Sequence, residues 1–200
     1  MAGDCVTEKS NNHVGGATRS VGTMAEQGGK KVSAGEIQDL IAVFGDPAIE
    51  KRHAAITALR EIGEPAVAPL IAAMAKAEEN DQRWYAAIAL SRIGEPAVIP
   101  LIMAMERNPA REFRKYAAAS LGEIGVPAID ALIDGMASDD AVLRGFLSQA
   151  LCRIGKPAVE HLTRRLDDPD ETIQQCVTLT LWQMGETGLP PMVEKMQDEE

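Results

Sequence analysis

The apolar positions of this chain fall into a helical pattern, and the pattern repeats. Ile37, Leu40, Ile41 and Phe44, and later Val98, Leu101, Ile102 and Met105, follow i, i+3, i+4, i+7 spacing, which gives a helix one buried stripe. The stripes belong to five related segments: LREIGEPAVAPLI from Leu59, LSRIGEPAVIPLI from Leu90, LGEIGVPAIDALI from Leu121, LCRIGKPAVEHLT from Leu151 and LWQMGETGLPPMV from Leu181. Their glycines, Gly63, Gly94, Gly125, Gly155 and Gly185, recur at steps of 31, 31, 30 and 30 residues. A period of this size marks a stacked repeat array.

Each unit reads as two helices. The first, for example Asp81–Ile93, has an alanine-rich interior and ends at the glycine, where the chain needs a positive φ. A proline two residues later (Pro65, Pro96, Pro127, Pro157) is expected to open the second helix at its first turn, where a missing N–H costs little. The last copy has Gly188 in place of proline and Gln174 where the others have arginine, a drift expected of a terminal repeat. Upstream, residues 37–52 align with residues 159–174, so the leading helix is a lone second helix. Ser33 and Glu36 have the spacing of a capping box at its start. The expected architecture is all-α: a right-handed superhelical solenoid of five two-helix repeats preceded by one capping helix, eleven helices in total. The shorter steps lose one residue between Leu132 and Arg144 and between Leu162 and Gln174, and the turns are expected to absorb it. Residues 1–32 are rich in Gly, Ser, Thr and Asn without periodicity, and read as a disordered leader to a repeat domain at 33–200.

The pattern AA-x-x-L-x-x-IG-x-PAV-x-x-LI, with arginine opening the first helix, resembles the HEAT-like repeat named after phycobilisome lyases. The resemblance spans about residues 34–198 and implies an α-solenoid. Proteins with such repeats include bilin lyases, a di-iron deoxyhypusine hydroxylase, DNA glycosylase relatives and binding scaffolds, so the fold alone does not select a function.

Composition narrows the choice. Hydrophobic residues make up 46% of the chain and aromatics only 4%, which suits packing by Ala, Leu and Ile. No stretch reaches the roughly 18 uncharged apolar residues of a membrane span, and no apolar signal core opens the chain. Cys5, Cys152 and Cys176 are widely spaced and read as free thiols of a reducing cytoplasm. The net charge is −10; residues 1–32 hold four basic and three acidic side chains, and the remainder 16 and 27. So acidic an array repels phosphate backbones, which argues against nucleic-acid partners.

Candidate chemistry is sparse. Arg52, Arg83, Arg114 and Arg144 each precede their glycine by eleven residues. They read as a structural ladder bonding carbonyls or the turn acids Asp46, Asp81, Asp139 and Asp140. His13, His53 and His161 are scattered. The di-iron hydroxylases that the resemblance brings in use repeated His-Glu pairs, and this chain has none, so no metal or cofactor is expected. Neither Cys152 nor Cys176 has a neighbouring base in sequence to activate it. Tyr85, Tyr116 and Phe146 share a register and are expected to stack in the core. The outward positions of the second helices vary most: Ala68, Ala72, Ile99 and Met103 are apolar, while Asp130, Asp134, Glu160 and Arg164 are charged. They are read as a partner-binding groove on the concave side, with Trp84 on the convex side. The expected function is a non-catalytic scaffold docking a protein or peptide segment that has an apolar anchor and polar or basic residues beyond it. The alternative is a bilin lyase-like or lyase-chaperone subunit.

Overall fold

The computed structural model describes residues 32–191; the leader reading therefore falls, apart from Val32, outside the described residues. Among them the chain is all helix and turn, an α-solenoid. The capping helix α1 (Ala34–Ala42) starts at Ser33. The Glu36 N–H donates to Ser33 Oγ at 3.2 Å and the Ser33 N–H to Glu36 Oε2 at 2.7 Å, the reciprocal capping the spacing predicted. Four hairpins follow: α2 (Ile49–Ile62) with α3 (Val67–Lys76), α4 (Asn80–Ile93) with α5 (Val98–Arg107), α6 (Arg111–Ile124) with α7 (Ile129–Asp134), and α8 (Ala141–Ile154) with α9 (Lys156–Arg164). The fifth unit contributes α10 (Glu171–Gln183), and helical residues at 189–191 begin its partner at the edge of the described residues.

The turn inside each hairpin depends on one conformation. Gly63 has φ 73° and ψ −136°, and the next three repeat glycines have φ between 74° and 85° and ψ between −135° and −138°, a region closed to side chains with a Cβ. The glycine carbonyl then accepts from the N–H of the alanine three residues on, Gly63 from Ala66 at 3.0 Å and Gly94 from Ala97 at 2.9 Å. This tight bond changes the expected start of the second helix. In the first three hairpins the proline lies in a 3-10 turn (Glu64–Ala66, Glu95–Ala97, Val126–Ala128), and the α-helix begins after it. Only α9 begins directly, at Lys156 and Pro157.

The shorter repeat steps also differ from expectation. The second helices themselves tighten. After α7 the chain continues as a 3-10 turn (Gly135–Ala137), and after α9 Arg165 and Leu166 donate to Leu162 and Thr163, three residues back. A 3-10 turn rises about 2.0 Å per residue against 1.5 Å in an α-helix, so one residue fewer spans the same gap. At Gly135 a Cβ would lie 2.9 Å from Leu147 Cδ1, so a larger residue there would have to displace that side chain.

One continuous core runs through the array, with Leu59, Leu70, Leu90, Leu101, Leu121, Leu132, Leu151, Leu162 and Leu181 all fully buried. The first helices (α2, α4, α6, α8, α10) pack against one another much more closely than the second helices do. Their facing residues explain this, since Ala87, Ala118, Ser120, Gly122 and Ser148 are small and buried. Ser120 Oγ reaches the Ala87 carbonyl of the neighbouring helix at 3.0 Å, and the Ser148 and Thr180 hydroxyls meet at 2.9 Å.

The arginine ladder is structural. Arg52 donates to the Pro47 carbonyl, Arg83 to the Ala77 and Glu78 carbonyls and Asn80 Oδ1, and Arg144 to the Ser138 carbonyl. Arg114 is 2% exposed; its Nε donates to the Met105 and Asn108 carbonyls, and its Nη2 lies 2.7 Å from Asp140 Oδ2. Of the four turn acids expected to serve, only Asp140 pairs with a ladder arginine, and it belongs to the next unit. Its other oxygen, Oδ1, accepts from the Val142 and Leu143 N–H groups and so caps α8. Arg52 instead lies over the Tyr85 ring at 4.6 Å. Removing the buried guanidinium strands two carbonyls and a capping carboxylate, so Arg114→Ala is expected to cost about 3 kcal/mol. Arg164→Ala, on an exposed position, should stay within about 0.5 kcal/mol. Urea unfolding checks both, and equal effects would contradict the burial assigned to Arg114.

The bond from Arg114, followed by that from the Leu143 N–H, holds the Asp140 carboxyl below the usual carboxylate range. Asp168 is lowered by the Asp170 N–H and Arg165, and Asp46 by Lys51 and the Ala48 N–H. A carboxyl depressed in the folded state stabilises at pH above its unfolded value and loses that contribution as pH falls through the folded value. The urea midpoint should therefore be nearly flat above about pH 5 and fall in acid. Asp140→Asn should lower the plateau and shallow the acid slope, which a pH series of urea titrations measures.

Candidate functional site

The outward positions of the second helices are all exposed: Ala68 and Ala72 on α3, Ile99 and Met103 on α5, Asp130 and Asp134 on α7, Glu160 and Arg164 on α9. Ile99 is 56% and Met103 42% exposed. Inward of them Val67, Leu70, Met74, Val98, Leu101, Ile102 and Met105 are buried, so the stripe spacing sorted the two sides of each helix correctly. This surface lies on the more widely spaced of the two layers, and one part of the expectation changes. Its charged half is partly engaged within the chain: His161 Nδ1 lies 2.7 Å from Asp130 Oδ1, and Arg165 donates to Asp134 at 2.8 Å and to Asp168. These pairs bridge α7 to the end of α9, one repeat apart. Glu160 and Arg164 border a hollow with Lys156, Thr163 and Thr187.

The first-helix side carries what the sequence reading missed. A cavity of about 300 Å³ opens there, lined from α4 by Trp84, Ala87, Ser91 and Arg92, from α6 by Tyr116 and Glu123, and from α8 by Arg153. Trp84 was expected on the convex side, away from any site; it forms the rim of this cavity. The three register-sharing aromatics diverge. Tyr85 is buried and stacks on Phe44 with ring centroids 6.0 Å apart, whereas Tyr116 and Phe146 are only partly buried. Two signals in the sequence mark this side: the run of Ala, Ser and Gly on facing first helices, and a tryptophan where other units have His, Lys, Gly or Gln.

Arg153 reaches across the gap to pair with Glu123. It crosses over Gly122, where an added Cβ would lie 2.6 Å from Arg153 Cδ. Cys152 and Cys176 are half-buried free thiols, both pushed above the ordinary thiol range, by burial first. At neutral pH they are held as thiols, the unreactive form. Among the described residues no three His, Cys, Asp or Glu side chains gather as a metal site, and no helix is long and apolar enough to cross a membrane.

Asp130 and Asp134 are exposed acids in surface pairs, which contribute little each. The double variant Asp130→Asn, Asp134→Asn should lower stability by no more than about 1 kcal/mol and leave helicity unchanged, read by thermal melting followed by circular dichroism. A loss as large as that from Arg114→Ala would mean these pairs hold the array together.

No curated protein matches the chain. Among solved structures, the complex of CpcE and CpcF of phycocyanin lyase from Nostoc sp. PCC7120 is similar at 25% identity and a TM-score of 0.40, over 74% of this chain and 99% of that one. The HEAT repeats family matches residues 37–122, 67–147 and 101–182 in overlapping windows. Those windows together cover most of the chain and coincide with the stacked helical pairs, and the protein belongs to the HEAT-repeat family.

Proposed function

We propose that this HEAT-repeat protein is a non-catalytic scaffold that docks a segment of a partner protein on the outward side of its second helices, within the reducing cytoplasm. The observation that carries the reading is the apolar patch made by Ala68 and Ala72 on α3 with Ile99 and Met103 on the adjacent α5. Neither Ile99 nor Met103 contributes to the core, and adjoining exposed apolar side chains on neighbouring elements are what a docking anchor needs. Methionine adds adaptability to such a contact.

Charge supports the chemistry of the segment. Outside the first helices, the described residues hold five Lys and Arg against seventeen Asp and Glu. The excess lies in the turns and the capping helix, since α3, α5, α7 and α9 themselves hold four residues of each sign. A segment with an apolar anchor and basic residues that reach those turns matches this distribution, the anchor supplying affinity and the charges orientation and association rate. With Asp130 and Asp134 engaged by His161 and Arg165, the carboxylate of Glu160 and those of the turns supply the attraction. The same acidity disfavours a phosphate backbone. The half-buried, unactivated thiols favour binding over covalent chemistry at cysteine.

Affinity capture from the native host, followed by measurement of the captured partner against purified variants, tests the reading. Met103→Asp should weaken binding at least tenfold, about 1.4 kcal/mol, with helicity unchanged. A partner that binds Met103→Asp and Ile99→Asp as tightly as the unaltered chain would sink the assignment of this surface.

A further inference from the structure

The cavity on the first helices has the opposite chemistry, and it lies on the other layer of the array. We infer that it is a second docking groove, for an acidic peptide segment of another protein that carries a bulky apolar side chain. Three independent features converge on that occupant.

The first is a fixed aromatic wall. Trp84 is 48% exposed, yet its ring is backed edge-on by Tyr85 at 4.9 Å and 79°. Tyr85 is held in turn by Phe44 on one side and the Arg52 guanidinium on the other. A large apolar ring kept in water but immobilised from behind costs little further entropy on binding, the property that makes aromatic anchors effective. Ala87, Ala119 and Tyr116 line the same cavity, the two alanines taking up little of its volume. A leucine or aromatic side chain of the segment fills that space.

The second is charge. The five first helices hold ten Lys and Arg and only six Asp and Glu, the reverse of the rest of the described residues. Six of the ten are engaged: the four ladder arginines by carbonyls, Lys51 by Asp46 and Arg153 by Glu123. Arg60, Arg92 and Arg111 have no partner among the described residues, and Lys115, exposed, reaches Glu112 at 3.7 Å and the Tyr116 ring at 5.6 Å. Arg92 lines the cavity itself, and carboxylates are the complement to this layer.

The third is spacing. Glu61, Asp81, Glu112 and Glu123 lie on the same helices as those cations, Glu61 beside Arg60 and Glu112 between Arg111 and Lys115. An unbroken phosphate backbone would meet them, whereas a peptide with carboxylates at intervals avoids them. The interleaving selects protein over nucleic acid.

The test pans a displayed library of random twelve-residue peptides against the full-length chain, with resynthesised winners measured by fluorescence anisotropy. Winners should be net acidic and carry Leu, Phe or Trp. Trp84→Ala, and separately Arg92→Glu with Lys115→Glu, should each weaken them at least tenfold, with helicity unchanged and binding weakening as salt rises. Met103→Asp should leave their affinity within twofold, which separates this groove from the outward patch: either surface can fail while the other stands. Three results overturn the inference. One is a set of winners without acidic bias, or none that Arg92→Glu with Lys115→Glu weakens. Another is a labelled 20-base DNA that binds more tightly than the peptides at physiological salt and loses binding in Arg92→Glu. The last is a concentration-dependent dimer in sedimentation that Arg92→Glu dissolves, which would make a second copy the occupant.

Discussion

Close approach of the first helices is the constraint on which the rest of the molecule depends. Two helices meet at short range only where the facing side chains are small, and here Ala87, Ala118, Ser120, Gly122 and Ser148 fill those positions. The serines add more than smallness. Ser120 Oγ bonds the Ala87 carbonyl, and Ser148 meets Thr180, so hydroxyls that could have been buried without partners instead tie neighbouring units. With the first layer drawn together, the second layer must be spaced more widely. Its helices are bridged at the surface by long side chains such as Asp134 and Arg165. Small residues thus govern the spacing of one layer and flexible ion pairs follow the spacing of the other.

Within each hairpin the positive-φ glycine and the 3-10 turn after it fix how the second helix leaves the first. At the first three junctions between hairpins an arginine (Arg83, Arg114, Arg144) gathers free carbonyls of the preceding second helix and its turn. The two devices are local, which is why the array can repeat them without reference to distant units. They also separate framework from function. Positions that recur in register hold the turns, and the positions that vary, such as Trp84 and Met103, are left to face outward.

Much of this was legible in the chain. The glycine register gave the unit boundaries, the Ser33–Glu36 spacing gave the capping box, and the i, i+3, i+4, i+7 stripes separated Leu101 from Met103. What the letters could not supply was relative spacing between layers. Periodicity assigns an inside and an outside to each helix separately, and says nothing of which layer packs tighter. The cavity beside Trp84, which draws its lining from three successive first helices, was accordingly beyond the reach of the pattern. Side-chain pairing across a repeat was equally hidden: Asp130 and His161 are 31 positions apart, and only the stacking distance brings them together. The 3-10 turns at Pro65, Pro96 and Pro127 were missed because a proline two residues beyond the glycine fits the first turn of either helix type.

Arg114 differs from the other ladder arginines in one respect, since its guanidinium continues past its own junction to Asp140 at the start of the following hairpin. Arg52, Arg83 and Arg144 form no ion pair: they bond the turn beside them, and beyond it Arg52 meets only the Tyr85 ring and Arg144 only the Cys176 thiol. The joints of the array are therefore unequal. The third and fourth hairpins are pinned by a buried ionic rivet, while the others meet through side-chain packing and hydroxyl bonds that yield more readily to bending. A force or a bound segment that straightens or tightens this solenoid will act as on a rod stiffened at its middle. The change in curvature will concentrate toward the flanking joints, so the stretch carrying Trp84 and Met103 can adjust its pitch while the α6–α8 block moves as one piece.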